Sequence, residues 1–138
     1  MFYSSTKRLI DILAALILAI IFLPVWLIIP LLIKLDSPGP IIYKHKRVGK
    51  NGRRFWLYKF RTMVKDADAI LFRHNPKLFK AFTRGDWKLA QDPRITTLGR
   101  IMRSVTIDEF PQLWNVLKGE MSLVGPRAYL HKELVSQQ

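Results

Sequence analysis

The chain opens with a long apolar stretch. No charged residue occurs in the 22 residues from Ile12 to Ile33. A straight helix of this length would measure about 33 Å, enough to cross the hydrocarbon core of a bilayer. However, Pro24 lies near the middle of the stretch and Pro30 near its end. A proline inside a helix removes a backbone hydrogen bond and clashes with the preceding turn, so the pattern predicts a kink between residues 20 and 24.

Basic residues flank this stretch on both sides. Lys7 and Arg8 precede it, and a denser basic group follows it, comprising Lys34, Lys44, Lys46, Arg47, Lys50, Arg53 and Arg54. The excess of positive charge predicts that the C-terminal side is cytoplasmic, and neither flank favours crossing the membrane. We therefore expect residues 1–35 to form a re-entrant membrane helix. A kinked spanning helix, or a plain anchor with an incidental kink, remains an alternative. The stretch ends in a turn-rich sequence rather than a cleavage site, which argues against a signal peptide.

The pattern after residue 36 predicts a small domain over residues 36–138. Two short strands, Ile41–Tyr43 and Phe55–Phe60, flank an Asn51-Gly52 pair, which strongly favours a hairpin. Helical patterns follow at Asp66–Arg73, Pro76–Phe82 and Thr97–Arg103. The first two mix aromatic and basic residues, so they could lie on the membrane interface or pack on a small core. The predicted fold class is an α-helix-rich α+β domain with a β-hairpin, joined to the kinked membrane helix.

A further helix is predicted after residue 106. Thr106 and Glu109 have the spacing of a capping box, with Thr106 as the N-cap, and Gly119 is well placed to end the helix. A buried apolar stripe is expected at Phe110, Leu113, Trp114 and Leu117. Asp108, Gln112 and Asn115 would then share the opposite, polar face. The adjacent carboxylates of Asp108 and Glu109 also have a purely structural explanation, because acidic residues stabilise the N-terminus of a helix.

The acidic pair lies in a strongly basic sequence. The chain of 138 residues has 23 basic and 10 acidic residues, for a net charge of +13. The electrostatic field of this excess positive charge attracts anions, whether nucleic acid, anionic lipid headgroups or diphosphates.

The sequence has no cysteine, which excludes a disulfide framework and a thiolate metal site. It also lacks a Walker loop, an HExxH motif and a nucleophile elbow, and its three histidines show no ligand spacing.

Several cationic side chains could bind phosphate near Asp108 and Glu109. The candidates are Lys59, Arg61, Arg94, Arg103 and Arg127. Guanidinium groups around a carboxylate pair suit a site in which a metal ion bridges carboxylate and phosphate oxygens. A carboxylate can also attack phosphorus and form an acyl phosphate. Each cation taken alone is better explained as a solvated surface charge.

Five segments in the same order resemble the bacterial sugar transferase family, the monotopic phosphoglycosyl transferases. They are Lys59-Phe60-Arg61-Thr62-Met63, Asp92-Pro93-Arg94-Ile95-Thr96, Arg103 with Asp108-Glu109, Pro111 to Gly119, and Met121 to Arg127. The resemblance runs from about Lys7 to Arg127. It departs at Ala128, where the family usually has proline, and the family normally continues beyond the position that aligns with Gln138.

The resemblance implies an activity. The family transfers a sugar 1-phosphate from a UDP-sugar to a polyprenyl phosphate, typically undecaprenyl phosphate, and releases UMP. This is the first membrane step of exopolysaccharide, O-antigen or glycoprotein glycan synthesis, on the cytoplasmic face of the bacterial inner membrane. Asp108 is the expected nucleophile, Glu109 with Asp108 would hold Mg²⁺, and Arg103 would contact phosphate. Gln112 and Asn115 would support them, and Pro24 would break the membrane helix.

Other interpretations remain open at this point. The chain could be an inactive shortened homologue that acts as a basic, membrane-bound binding module. Nucleic-acid binding rests on charge alone, without a recognised motif, so no nucleic-acid partner is expected. The sugar that is transferred is not indicated by any residue, and a homodimer is neither favoured nor excluded.

Overall fold

The computed structural model describes residues 5–84, 89, 91–126 and 128. It begins with two helices, α1 (Ser5–Ile21) and α2 (Leu23–Asp36), which meet at Phe22 with a bend of 62°. Pro24 lies in the first turn of α2, where its missing N–H group would have no helical partner in any case. The kink is therefore where the sequence predicted it, and Pro24 begins the second helix.

Neither of these helices is long and apolar enough by itself to cross a membrane, and no other helix in the described part of the chain is. Taken together, α1 and α2 have the length and composition of a broken span or of a re-entrant loop. Their large apolar side chains point outward in many places, including Ile20, Leu27 and Leu31, each at least 60% exposed.

A hairpin follows the helix pair, as predicted. Strand β1 (Ile42–Val48) pairs antiparallel with β2 (Arg54–Phe60), and the first strand continues five residues beyond Tyr43. The turn between them contains a short 3₁₀ segment in which Asn51 and Gly52 have φ values of 58° and 73°. These two residue types tolerate positive φ most readily, which explains how the local sequence sets this turn.

Short helices make up the rest of the described chain. They are α3 (Ala67–Ala69), which continues as a π-helical segment (Ile70–His74), α4 (Pro76–Arg84), α5 (Thr97–Ser104), a 3₁₀ turn (Ile107–Glu109) and α6 (Gln112–Lys118). The three helices predicted between residues 66 and 103 are confirmed. So is the end of the last helix at Gly119, which adopts the left-handed conformation (φ 84°) typical of a C-terminal cap.

The predicted capping box is wrong. Thr106 has a left-handed backbone (φ 60°), and its side chain makes no capping hydrogen bond. A true cap occurs one helix earlier, where the Thr96 side chain accepts a hydrogen bond of 2.9 Å from the Gly99 amide. The predicted continuous helix is interrupted because Pro111 has no N–H group to donate to the carbonyl four residues before it. A 3₁₀ turn therefore precedes α6.

The core joins the helix pair to the rest of the protein. Its buried centre consists of Ile33 from α2, Phe60 from β2 and Met102 from α5. The ring of Trp26 in α2 lies edge-on to Phe60, with 5.7 Å between centroids. At the bend, the ring of Phe22 meets Phe110 edge-on at 4.9 Å. The helix pair is thus packed directly against the segment that carries the acidic pair.

Candidate active site

Asp108 and Glu109 lie on the 3₁₀ turn between α5 and α6. Asp108 is buried, at 7% exposure, whereas the Glu109 side chain is 41% exposed. Burial raises the pKa of Asp108, and the neighbouring Glu109 charge raises it further, while Lys59 and Arg103 act in the opposite direction. Asp108 is therefore a poorly solvated carboxyl group whose ionised form is stabilised by two nearby cations.

Lys59 joins the hairpin to this turn. It is the penultimate residue of β2, and its Nζ lies 2.5 Å from Oε1 of Glu109. The same ammonium group is the strongest charge that lowers the pKa of Asp108. The structure thus brings together Lys59, Asp108 and Glu109, as the sequence predicted.

Arg103 is a second cation near the acidic pair. Its Nε donates a hydrogen bond of 2.8 Å to Oγ1 of Thr62, a buried residue just after β2. Its charge lowers the pKa of Asp108 and of Asp92. The rest of the Arg103 side chain is exposed, so its guanidinium group is held by one hydrogen bond and is available to a phosphate.

Arg94 is already paired. It is 4% exposed, and its Nε and Nη2 donate to the two carboxylate oxygens of Asp92 at 2.8 and 2.6 Å. The guanidinium group also lies 5.2 Å from the centroid of the Phe82 ring. These contacts give Arg94 a structural role. Its predicted contact with phosphate remains a prediction, and it would require this buried pair to open.

Arg61 makes its described contacts at the end of α2. Its Nη2 donates to the Ile33 carbonyl at 3.3 Å, to Oγ of Ser37 at 2.9 Å and to the Ser37 carbonyl. Arg61 is buried, and these contacts stabilise the C-terminal end of α2, where the helix dipole favours a cation. The structure does not place it with Lys59 and Arg103. Arg127, the last predicted phosphate ligand, lies outside the described residues.

The described polar partners of Asn115 belong to strand β2 and to Glu120. Its side chain is fully buried and pairs with the free edge of β2. Oδ1 accepts a hydrogen bond of 3.1 Å from the Tyr58 amide, and Nδ2 donates to the Trp56 carbonyl at 2.6 Å. Nδ2 also donates to Glu120 at 2.6 Å. Asn115 thereby fixes the strand that carries Lys59.

The predicted apolar stripe of this segment is wrong in part. Trp114 is 54% exposed, whereas Val116 and Asn115, which were not in the predicted stripe, are buried. Gln112 is half-buried on a cavity wall, near the acidic pair as predicted. Thr62 and Glu120, which position Arg103 and Asn115, had no signal in the sequence that separated them from ordinary polar residues.

A cavity of about 520 Å³ opens beside the acidic pair. Its polar lining includes Lys59, Glu109, Gln112 and Ser122. Apolar side chains form much of the remaining wall, namely Leu18, Leu57, Phe110, Leu113, Val116, Met121 and Leu123. The volume is in the range of small-molecule sites. Because Leu18 belongs to α1, the cavity extends from Glu109 to the first apolar helix.

The acidic pair has donor chemistry that fits Mg²⁺. Among the described residues, no group of three or more histidine, cysteine, aspartate or glutamate side chains could hold a metal ion. Mg²⁺ does not need such a group, since it is commonly bound by one or two carboxylates together with substrate phosphates and water. Asp108 and Glu109 supply two adjacent carboxylates, one of them at a cavity wall.

Comparison with known proteins identifies several relatives. The chain is 43% identical over 131 residues to the exopolysaccharide production protein ExoY of Rhizobium meliloti, an alignment that covers 93% of this chain and 58% of the relative. It is 45% identical over 125 residues to a putative undecaprenyl-phosphate N-acetylgalactosaminyl 1-phosphate transferase of Bacillus subtilis, covering 91% and 63%. It is 44% identical over 130 residues to the undecaprenyl-phosphate galactose phosphotransferase of Salmonella typhimurium, covering 93% and 27%.

The chain therefore spans between about a quarter and two thirds of the length of these relatives. The similarity nevertheless extends over nearly all of the present sequence. The family model described as bacterial sugar transferase matches residues 2–138. The chain belongs to the bacterial sugar transferase family.

Proposed function

We propose that this protein transfers a sugar 1-phosphate from a UDP-sugar to undecaprenyl phosphate and releases UMP. The observation that carries this proposal is that Lys59 and Arg103 lie near the acidic pair, with Glu109 on the wall of a cavity that reaches α1. Two of the relatives described above carry undecaprenyl phosphate in their names, and the third is named for exopolysaccharide production. These names support the same substrate class.

Asp108 is the proposed nucleophile. An oxygen of its carboxylate would attack the β-phosphorus of the UDP-sugar, and the bond from that phosphorus to the bridging oxygen would break, so that UMP leaves. An oxygen of undecaprenyl phosphate would then attack the same phosphorus and release the Asp108 carboxylate. Burial favours this role because a poorly solvated carboxylate loses little hydration when it attacks.

The neighbouring side chains have complementary roles in this proposal. Asp108 and Glu109 would hold Mg²⁺, which supplies charge neutralisation of the diphosphate when it is bound. Lys59 keeps the Glu109 carboxylate in place through the 2.5 Å ion pair. The exposed Arg103 guanidinium group would contact a substrate phosphate. Together these cations offset the repulsion between an attacking carboxylate and an anionic substrate.

The helix pair would place this site at a membrane. We propose that α1 and α2 form a re-entrant segment on the cytoplasmic face of the bacterial inner membrane, with residues 36–138 outside the bilayer. The 62° bend and the basic residues at both ends of the pair support this arrangement. The apolar cavity wall at Leu18 would then offer the polyprenyl chain a path toward Glu109 and the neighbouring Asp108.

The test is UMP release in nanodiscs with Mg²⁺, undecaprenyl phosphate and a panel of UDP-sugars. We expect release from one sugar nucleotide and its loss in Asp108→Asn. Asp66→Asn is a matched control, because Asp66 is exposed and asparagine tolerates its left-handed backbone equally well. Absence of release by the folded, membrane-bound protein, or release that survives in Asp108→Asn, would contradict the proposal. Binding to anionic vesicles without UMP release would favour a binding module instead.

A further inference from the structure

The first turn of α1 is bonded to the end of α6. Arg8 Nη1 donates to the Val116 carbonyl at 2.5 Å, and Nη2 donates to the Leu117 carbonyl at 2.7 Å. Both carbonyl groups belong to the last turn of α6, where a cation is favoured by the helix dipole, and the Val116 carbonyl also accepts a hydrogen bond from the Gly119 amide. A β-carbon at Gly119 would lie only 3.4 Å from Arg8 Nη2, so the two segments are closely packed.

Lys7 makes a second connection from the same turn. Its Nζ donates to Oγ of Ser122 at 2.7 Å and to the buried Asp11 carboxylate at 2.6 Å. Oγ of Ser122 in turn donates to the Val124 carbonyl at 3.0 Å. The segment after α6 is therefore held in its conformation from the side of α1.

These two connections end on the wall of the cavity. Val116 and Ser122 line the same cavity as Lys59 and Glu109. We propose that Arg8, supported by Lys7, is a positioning residue that sets this wall and so couples the seating of the membrane helix pair to sugar-nucleotide binding. The kinetic part of this inference rests on the proposed function, whereas the structural part stands without it.

The contacts of Arg8 distinguish a positioning role from a role that needs only a positive charge. A basic residue that served only lipid headgroups or membrane orientation would be replaceable by any other cation. A guanidinium group offers a rigid fork of donors that reaches two carbonyl groups at once, whereas a lysine ammonium group is a point charge on a flexible stem. Arg8→Lys therefore keeps the charge and removes the two-carbonyl cap.

The first arm of the test is amide hydrogen exchange of the full chain in nanodiscs, read by mass spectrometry. The Gly119 amide donates to the Val116 carbonyl, which Arg8 also binds, and the amides of Glu120 and Met121 donate to the neighbouring Asn115 carbonyl, so these three amides report on the end of α6. In Arg8→Lys we expect their exchange to accelerate about tenfold, the effect of losing one charge-assisted hydrogen bond. Exchange in residues 42–60 should not change, which shows that the fold is retained.

The second arm is UMP release by the same proteins. Arg8→Lys should raise KM for the sugar nucleotide by about tenfold and change kcat less, because the cavity wall moves while the acidic pair stays. Arg53→Lys is the matched control, since it is the same substitution at an exposed hairpin position, and it should alter neither measurement. Wild-type exchange and KM in Arg8→Lys would overturn the inference. If the wild type releases no UMP, the proposed function fails, and the exchange arm alone still decides whether Arg8 holds the wall.

Discussion

Nζ of Lys59 lies 2.5 Å from Oε1 of Glu109, and this ion pair connects the end of β2 to the turn that carries the acidic pair. The two side chains are 24% and 41% exposed, so solvent screens the pair and its contribution to stability is small. The main effect of the ion pair is on the neighbouring carboxylates. It places a positive charge beside the buried Asp108 and keeps Glu109 oriented toward the cavity.

Replacement of Lys59 should move the pH dependence of activity. Lys59 lowers the pKa of Asp108, so Lys59→Met should raise that pKa further above its ordinary value. Because the nucleophile must be ionised, the acid limb of kcat/KM should shift to higher pH, with an overall loss on the order of ten- to a hundredfold. Lys59→Arg keeps the charge and should leave the limb near its original position. An unchanged acid limb in Lys59→Met would show that Lys59 does not act on the nucleophile.

Asp108→Asn should stabilise the protein at neutral pH while it removes activity. Burial raises the folded-state pKa of Asp108 above the unfolded value near 3.8, so the folded state binds more protons in the interval between them. Stability contributed by the protonated group is thus fully present below the unfolded pKa and is lost as pH rises through the folded pKa. Asparagine stays neutral throughout, so the melting temperature should rise by a few degrees at pH 7.5.

The stabilisation by Asp108→Asn should shrink as the pH falls. Below the unfolded pKa the wild-type carboxyl group is neutral in both states, and the two proteins should melt alike. Thermal unfolding in detergent at pH 7.5, 5 and 3.5 checks this. A variant that is less stable than wild type at pH 7.5 would show that the ionised carboxylate is stabilised by its surroundings rather than strained by burial.

Asn115→Ala should be strongly destabilising. It leaves the Tyr58 amide and the Trp56 carbonyl without their described partner in a buried location, at a cost on the order of 3 kcal/mol. Gln112→Ala, on the same helix but only half-buried, should cost less than about 1 kcal/mol. Chemical unfolding in detergent measures both. Equal losses for the two variants would mean that Asn115 does not hold the strand edge.

Gly99→Ala should disrupt the support of Arg103. A β-carbon at Gly99 would collide with the backbone carbonyl of Thr62, the residue whose hydroxyl group binds Arg103. We expect a loss of at least about 2 kcal/mol of stability together with reduced activity. Gly125→Ala is the control, because a β-carbon there would make only an ordinary contact of 3.5 Å with Ser122. A fully stable Gly99→Ala protein would contradict the close packing of α5 on Thr62.

Local rules account for the parts of the fold that were predicted correctly. The kink follows from Pro24 in the first turn of α2, and the hairpin turn follows from the tolerance of Asn51 and Gly52 for positive φ. The error at Thr106 is also local in origin. The capping-box pattern predicts a regular helix after Thr106, but Pro111 has no N–H group to continue it, and the segment forms a 3₁₀ turn.

Long-range partners could not be predicted from the sequence. Asn115 has the spacing of a polar helix face, yet it is buried because its amide matches the hydrogen-bonding groups of β2, which lie far away along the chain. Arg61 and Arg103 look alike in sequence. One binds the end of α2 at Ser37, and the other remains exposed near Asp108. The charge pattern predicted a basic site, but only the tertiary contacts distinguish the arginine near the acidic pair from the arginine with a structural role.

The most direct test of the account is whether Asp108 becomes covalently modified. The protein in nanodiscs would be mixed with Mg²⁺ and its UDP-sugar without polyprenyl acceptor, quenched rapidly, and its intact mass measured. The account predicts an increase equal to one sugar 1-phosphate that disappears when undecaprenyl phosphate is added, and no increase for Asp108→Asn. UMP release by the wild type without any adduct, or an adduct of the same mass on Asp108→Asn, would contradict the assignment of Asp108 as the nucleophile.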